Sequence, residues 1–172
     1  MAVSAARRIL EGEGREALTM RRIATEIGVK APSLYKHFPD KRSLEAAVIA
    51  EGLAEFGAQM STASGTSRRR VKAVAEAYRD YALAHPHLYH LMTDGELPRD
   101  LLPAGAEDAA AAPILAVLGT HDRARAGWAT AHGLVSLELA HRFPPDADVA
   151  AAWKTAVRML EGDVAARRAS ES

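Results

Sequence analysis

The sequence predicts an all-α fold, and two observations carry that prediction. The 172 residues are 48% hydrophobic but only 5% aromatic, a balance that favours closely packed helices over sheets. Apolar residues recur at spacings of three and four along most of the chain, and no segment alternates as a half-buried strand does. The chain also lacks cysteine, which excludes disulfides, thiolate metal sites and cysteine nucleophiles.

Three short helices are predicted before residue 40. The first spans about Ser4 to Glu13, with Ala5, Ile9 and Leu10 facing inward and Gly12 and Gly14 ending it. Thr19 is a suitable N-cap for the second helix. The apolar face of this second helix consists of Met20, Ile23, Ala24 and Ile27. Gly28 is expected to end it, because glycine adopts a positive φ without steric cost.

The third helix, from about Ala31 to Phe38, begins with Pro32 in its first turn. Leu34 and Phe38 are spaced to pack inward. The side chains expected to point outward are those of Ser33, Tyr35, Lys36 and His37. Two helices joined by a glycine turn, the second presenting hydroxyls, a base and an aromatic ring, are typical of a helix-turn-helix that enters the DNA major groove.

These residues also carry a family resemblance. The run LTMRRIATEIGV…APSLYKHFPDKRSL, following AARRILEGEG, resembles the DNA-binding domain of the tetracycline-repressor (TetR/AcrR) family of bacterial transcription regulators over about residues 4 to 50. The resemblance implies a helix-turn-helix DNA-binding domain at residues 1–46 and a helical effector-binding and dimerisation domain at residues 47–172. Many members carry a basic arm before the first helix. Only Met1-Ala2-Val3 precede it here, so we expect either no such arm or a trimmed start.

The resemblance and the side-chain chemistry together predict a double-stranded DNA operator as partner. The predicted DNA-binding residues are Thr19, Arg21, Lys30, Ala31, Pro32, Ser33, Tyr35, Lys36, His37 and Lys41. Thr19 and Lys41 are expected at phosphates, close to helix N-termini that attract anions. Tyr35 is expected at a phosphate or a thymine methyl group, and Lys36 at guanine. Arg22 is expected to add a backbone contact, and the alternative for Lys30 and Lys36 is a solvated surface charge.

The charge distribution agrees mildly with a DNA partner. Formal net charge is zero, but residues 1–50 contain nine Lys and Arg against six Asp and Glu. A locally basic module can approach phosphates even when the whole chain is neutral.

Six further helical segments are predicted, with a loop of turn residues at 61–66 as the domain boundary. They run from Asp40 through Met60, from Ser67 to His85-Pro86, from His87 to Met92, from Glu107 to Leu118, from Asp122 to about Arg142, and from a cap at Asp146 to about Arg168. The stretch from Gly95 to Gly105 is predicted to be irregular, and Arg68-Arg69-Arg70 is expected to be a solvated helix start.

The C-terminal part has its own resemblance. The segments AGWATAHGLVSLELAHRF (126–143) and HPHLYHLM (85–92) resemble the ligand-binding domain of one TetR subgroup, marked by Trp-x₃-His-Gly. The family resemblance implies a homodimer through the last two helices. The sequence is compatible with this dimer, because Gly133 allows close helix approach and a second apolar surface can come from Leu134, Leu137, Val157 and Leu160.

A small apolar or amphipathic effector is also expected. Its candidate contacts are Tyr78, Tyr81, Leu88, Leu91, Ile114, Leu115, Leu118, Trp128, His132 and Ser136. The alternative for each is ordinary core packing, and His132 could equally bond a backbone carbonyl.

Other function classes find little support. Ser33, His37 and Asp40 form the nearest hydrolase-like trio, but they lie on the predicted recognition helix and no nucleophile elbow or phosphate loop occurs. We expect no enzyme activity, cofactor or membrane span, and a cytoplasmic location. The spacing His85-x-His87-x-x-His90 suggests a metal site, but only Asp94 adds an acidic residue nearby and Pro86 indicates a helix junction. The family resemblance also implies a structural junction at His85-Pro86 and Tyr89, so we expect no metal site. The sequence therefore predicts a ligand-responsive regulator, most simply a repressor; the alternative is a DNA-binding regulator controlled by a protein partner.

Overall fold

The computed structural model describes residues 1–66 and 70–170, with side chains omitted at residue 66 and from 163 onward. Within these ranges the chain forms α-helices and one short 3₁₀ turn, and no strand, so the all-α prediction is confirmed. The helices are α1 (Ala2–Glu13), α2 (Met20–Glu26), α3 (Ala31–Tyr35), α4 (Lys41–Thr66), α5 (Arg70–Ala84), α6 (Pro86–Thr93), α7 (Ala106–Leu118), α8 (His121–Leu139) and α9 (Val149–Ser170). None of the described helices is both long and apolar enough to cross a bilayer.

The chain divides into two compact units. The first combines Met1–Glu55 with His85–Ala106, and the second combines Phe56–Ala84 with Glu107–Ser172. The boundary predicted after residue 46 stays a prediction, because this division groups residues by packing and not by function.

In the first unit, α1 packs against α2 and α6, and α2 packs against α3. The inward positions predicted for α1 are buried, as are Met20, Ile23 and Leu34. Gly52 lies where α4 meets α6: a Cβ at this position would lie 2.7 Å from the Met92 sulfur and 3.2 Å from a Leu88 methyl. The first unit is therefore a small helical core that supports the short helices α2 and α3.

In the second unit, aromatic rings from α4 and α5 form the centre of the core. The ring of Phe56 meets those of Tyr78 and Tyr81 edge-on, with centroids 4.9 and 5.2 Å apart. Gly57 lets α4 approach α7 closely, because a Cβ there would lie 3.0 Å from the backbone of Ala110.

The predicted loop at 61–66 is wrong, because α4 continues through it to Thr66. The hydroxyls of Thr62 and Ser64 donate to main-chain carbonyls three or four residues earlier, at 3.0 and 2.9 Å. Their polar side chains are therefore satisfied inside the helix. The predicted helix start at Ser67 lies outside the described residues.

Three helix ends also differ from prediction. Helix α3, predicted to reach about Phe38, ends at Tyr35 with Lys36 as its C-cap, where the His37 N–H donates to the Leu34 carbonyl in a tighter turn. The predicted end of α8 near Arg142 is three residues too late, because His141 adopts φ 51° and the Arg142 N–H returns to the Leu137 carbonyl at 2.8 Å. This is the hydrogen-bond pattern of a Schellman termination, with histidine in place of the usual glycine. The cap of α9 is Asp148 and not Asp146, since an Asp148 carboxylate oxygen accepts the Ala151 N–H at 2.9 Å.

Candidate functional site

The turn between α2 and α3 is fixed by local hydrogen bonds at both ends of α2. The Thr19 hydroxyl accepts the Arg22 N–H at 3.2 Å, which confirms the predicted cap. Gly28 adopts φ 70°, as predicted, and its N–H donates to the Thr25 carbonyl. The Val29 N–H then returns to the Ala24 carbonyl at 2.9 Å, which completes a Schellman motif. The direction in which α3 leaves the turn is thus set by main-chain geometry.

Helix α3 is short and is anchored by one buried side chain. Leu34 is 2% exposed, and Phe38, just beyond the helix, is half-buried. Tyr35 is 48% exposed, although it follows Leu34 directly. The predicted DNA-binding residues that are exposed are Thr19, Arg21, Lys30, Pro32, Ser33, Tyr35, Lys36 and His37, whereas Ala31 and Lys41 are half-buried. A continuous run of hydroxyls, cations and an aromatic ring is therefore accessible along α3 and its flanks.

The N-terminus of α4 adds a capped helix start. An Asp40 carboxylate oxygen accepts the Ser43 N–H at 2.7 Å, and the Ser43 hydroxyl donates to the Asp40 carbonyl at 2.8 Å. Lys41 is the first residue of this helix, as predicted. Its ammonium lies 3.4 Å from the Arg15 carbonyl oxygen and 3.5 Å from a Glu45 carboxylate oxygen.

The two neighbouring arginines of α2 differ in their surroundings. Arg22 donates to Glu13 at 2.7 Å and to Glu26 at 2.8 Å. The bonds to these two carboxylates raise the pKa of the Arg22 guanidinium. An Arg22 contact to DNA would have to compete with them, whereas Arg21 is exposed on the same helix.

Arg42 forms an ion pair that the sequence did not reveal. Its guanidinium donates to both carboxylate oxygens of Asp100, which lies in the irregular stretch before α7. The hydrogen bonds to Arg42 lower the pKa of Asp100. The two residues are 58 positions apart, and nothing in either local pattern marks them as partners.

The residues predicted to contact an effector do not all lie in one unit. Leu88 and Leu91 are buried in the first unit, and the other eight belong to the second. On α8, Trp128 is 48% exposed and stacks on His132, with centroids 5.9 Å apart and planes inclined by 25°. The hydroxyl of Ser136 lies 3.4 Å from Nδ1 of His132. These three side chains form one stripe along α8, which we call the Trp128 stripe.

A different face of α8 forms an open groove with α9. The groove has a volume of about 500 Å³. Its lining is mainly apolar and consists of Thr130, Leu134, Ala151, Ala152, Thr155, Ala156, Met159 and Leu160. Met159 is 72% exposed and Leu137 45% exposed. Of the second apolar surface predicted from the sequence, Val157 is instead 8% exposed and belongs to the core.

A polar cluster that sequence reasoning missed joins α5, α8 and α9. The Arg79 guanidinium donates to both oxygens of Glu138, and Nε1 of Trp153 donates to the same carboxylate at 3.1 Å. The guanidinium carbon also lies 5.8 Å from the Trp153 ring centroid. Arg79, chiefly through its hydrogen bond, lowers the pKa of Glu138.

The three histidines around α6 do not converge on one point. Nδ1 of His85 lies 3.3 Å from Glu11, and Nδ1 of His90 lies 3.1 Å from Asp94. His87 is exposed. Within residues 1–66 and 70–170, no group of three or more acidic or histidine side chains is arranged to hold a metal ion.

Comparison with known proteins places this architecture in a family. A model described as "Bacterial regulatory proteins, tetR family" matches residues 2–48, and one described as "Tetracyclin repressor-like, C-terminal domain" matches residues 71–160. An uncharacterised HTH-type transcriptional regulator of Mycobacterium tuberculosis is 33% identical, over 80% of this chain and 68% of that protein.

Solved structures with a similar fold agree with these family matches. BioQ of Mycobacterium smegmatis is 25% identical, covers 96% of each chain and has a TM-score of 0.67. BioQ has also been solved with its natural double-stranded DNA operator, at the same identity. A variant of TetR from Acinetobacter baumannii, solved with minocycline, shares the fold at 22% identity, with 99% and 96% of the chains covered and a TM-score of 0.66. The chain belongs to the tetR family of bacterial regulatory proteins.

Proposed function

We propose that this protein is a ligand-responsive transcriptional repressor, which binds a pseudo-palindromic DNA operator as a homodimer and is released by a small effector. The observation that carries the proposal is the exposed polar face of α3, held by the capped and glycine-terminated α2. Such a face is what a recognition helix needs in order to reach base edges.

In the proposed complex, different residues of the site position the protein and read the sequence. Thr19 and Lys41 hold phosphates at the starts of α2 and α4, where main-chain N–H groups favour anions. Lys36 reads guanine, and Tyr35 contacts a thymine methyl group or a phosphate. Ala31 offers no hydrogen bond, so part of the selectivity comes from apolar contact and DNA shape. The DNA-bound structure of BioQ supports the DNA partner.

The homodimer is proposed to form through α8 and α9. The open groove is apolar, and Met159 and Leu137 are strongly exposed beside it. A second copy of the same surface would remove these side chains from water. We expect Met159→Glu to yield monomers in sedimentation velocity, whereas Leu83→Glu, at an exposed leucine of α5, leaves the dimer intact. Dimers from both variants would contradict this arrangement.

The effector is proposed to contact the second unit. The Trp128 stripe lies in the segment that resembles the Trp-x₃-His-Gly subgroup, and it offers a stacking surface, an imidazole and a hydroxyl to an amphipathic molecule. Useful switching requires about 100-fold weaker DNA affinity in the liganded state, equivalent to about 2.7 kcal/mol. A panel of apolar and amphipathic compounds, screened first by thermal shift and then for loss of DNA binding, tests this part. Compounds that stabilise the protein without weakening DNA binding would contradict it.

The DNA part is tested with two matched lysine variants. Fluorescence anisotropy on DNA flanking the protein's own gene, at fixed salt, is measured for the wild type, Lys36→Ala and Lys154→Ala. Both lysines are exposed, but Lys154 lies on α9. Loss of a base contact should weaken specific binding by about tenfold or more for Lys36→Ala only. Equal binding by the two variants would contradict the assignment of α3.

A further inference from the structure

The buried carboxylate of Glu45 lies one helical turn after Lys41 on α4. Glu45 is 8% exposed and sits on α4 four residues after Lys41. Both of its oxygens accept hydrogen bonds from Arg15 in the 3₁₀ turn before α2: Nε donates at 3.2 Å and a terminal nitrogen at 3.1 Å. The same carboxylate lies 3.5 Å from the Lys41 ammonium. Two cations therefore share one carboxylate.

Glu45 binds Arg15 more strongly than Lys41. Arg15 makes the paired, parallel contact that is the strongest geometry for an arginine and a carboxylate. Lys41 is at the longer distance, and it precedes its acidic partner along the helix, which is the less favourable order for an i,i+4 pair. Arginine is protonated at any pH of interest, and the hydrogen bond to Glu45 raises the pKa of Arg15 further.

The Lys41 ammonium is consequently accessible to an additional partner. It carries three protons, and the structure gives it the Arg15 carbonyl at 3.4 Å and the shared carboxylate at 3.5 Å. The Lys41 side chain is 43% exposed. If Arg15 were absent, the buried carboxylate would lack its main partner, and an unpaired buried charge is costly. Lys41 is the nearest cation that could replace Arg15.

We propose that Arg15 is a positioning residue for DNA binding, which saturates Glu45 and so keeps the Lys41 ammonium available to a DNA phosphate. The inference rests on the proposed function, in which Lys41 contacts a phosphate. It predicts that loss of Arg15 removes a phosphate contact that Arg15 does not itself make. It also predicts that this loss is reversed when Glu45 is neutralised.

The test compares operator binding of the wild type, Arg15→Gln, Glu45→Gln, the double variant Arg15→Gln/Glu45→Gln and Arg15→Lys by anisotropy over a range of salt concentrations. Arg15→Gln should bind about tenfold more weakly, as for the loss of one charged hydrogen bond. The slope of log K against log salt should become shallower by about 0.9 for each bound protomer, the signature of one lost phosphate contact. The double variant should return close to wild type, and Glu45→Gln should bind at least as tightly as wild type. Arg15→Lys should fall between Arg15→Gln and wild type, because lysine keeps the charge but not the paired contact.

The matched control is Arg7→Gln, which removes the same charge and breaks another arginine–glutamate pair of the same unit, Arg7 with Glu55. Circular dichroism confirms that each variant is folded at the temperature of the assay. The proposal is overturned if Arg15→Gln matches Arg7→Gln in affinity and salt slope, or if the double variant stays as weak as Arg15→Gln. A Lys41→Ala variant distinguishes failure of this inference from failure of the proposed function. If it binds like wild type, the role of Lys41 and the inference both fail while DNA binding stands; if the wild type itself binds no operator, the proposed function fails.

Discussion

Replacing Glu138 with glutamine should destabilise the second unit more than any exposed charge substitution does. The Glu138 carboxylate binds Arg79 of α5 and Trp153 of α9 from its place on α8, so three helices depend on it. The side chains of Arg79 and Glu138 are 29% and 17% exposed. Glutamine keeps the shape and one acceptor but leaves the guanidinium without a counter-charge.

The loss in free energy of unfolding caused by Glu138→Gln lies between two limits. Breaking a fully buried ion pair costs about 3–5 kcal/mol, and an exposed pair is worth about 0.2–1 kcal/mol. Because both partners retain some solvent contact, screening reduces the buried limit, and we expect a loss of about 2 kcal/mol in the free energy of unfolding.

Urea unfolding at pH 7, followed by circular dichroism, measures this loss. Glu76→Gln is the matched control, because Glu76 pairs with Lys72 on the exposed side of α5, where the two side chains are 59% and 49% exposed. It should change the free energy by less than about 0.5 kcal/mol. Equal effects of the two substitutions would refute the reasoning.

The stability that the Arg79–Glu138 pair contributes should depend on pH. Arg79 lowers the pKa of Glu138 below the ordinary value of 4.5. A carboxylate with a lowered folded-state pKa contributes stability above its unfolded pKa and loses it as the pH falls through the folded value. The difference between wild type and Glu138→Gln should therefore be full at neutral pH and shrink as the pH falls below 4.5. A difference that does not change with pH would show that the charge of Glu138 is not responsible.

Three further substitutions test the packing and the turns, each by thermal or urea unfolding. Gly57→Ala should cost about 1–3 kcal/mol, because the new Cβ would meet the backbone of Ala110 at 3.0 Å. Gly65→Ala, with no atom within 4 Å, should be neutral or stabilising. A larger loss of stability in Gly65→Ala than in Gly57→Ala would contradict the close approach of α4 and α7. Gly28→Ala should cost about 1–2 kcal/mol through its φ of 70° alone, since space is open around it; an unchanged stability would mean that the turn is not held at this φ. Thr19→Ala should cost about 1 kcal/mol and Thr19→Ser much less, because serine keeps the capping oxygen; equal losses would argue against the cap.

Local signals in the sequence were sufficient to predict the helix-turn-helix. The cap at Thr19 and the positive φ of Gly28 depend on atoms within four residues, so the pattern around them determines the outcome. The same kind of reasoning failed at 61–66, where serine and threonine suggested a loop. There the hydroxyls of Thr62 and Ser64 bond within the helix, and Ser64 is 7% exposed, a burial that the local pattern does not reveal.

Long-range pairs could not be predicted from one sequence. Arg15 and Glu45 are 30 positions apart, and Arg79 and Glu138 are 59 apart. Any arginine in a chain with 22 acidic residues has many candidate partners, and periodicity does not choose among them. The effector set illustrates the same limit: Leu88 has the apolar character of a pocket residue, yet its side chain packs against Gly52 of α4. The effector contacts and the DNA-reading roles stay predictions.

Operator binding by Tyr35→Ala tests the central claim most directly, that α3 reads DNA. The tyrosine ring is 48% exposed beside the buried anchor Leu34, so its removal should alter the proposed contact surface without opening the core. Fluorescence anisotropy on DNA flanking the protein's own gene, at fixed salt, should give tight specific binding for the wild type and a loss of about tenfold or more for the variant. Unchanged affinity in Tyr35→Ala would contradict the assignment of α3 as the recognition helix.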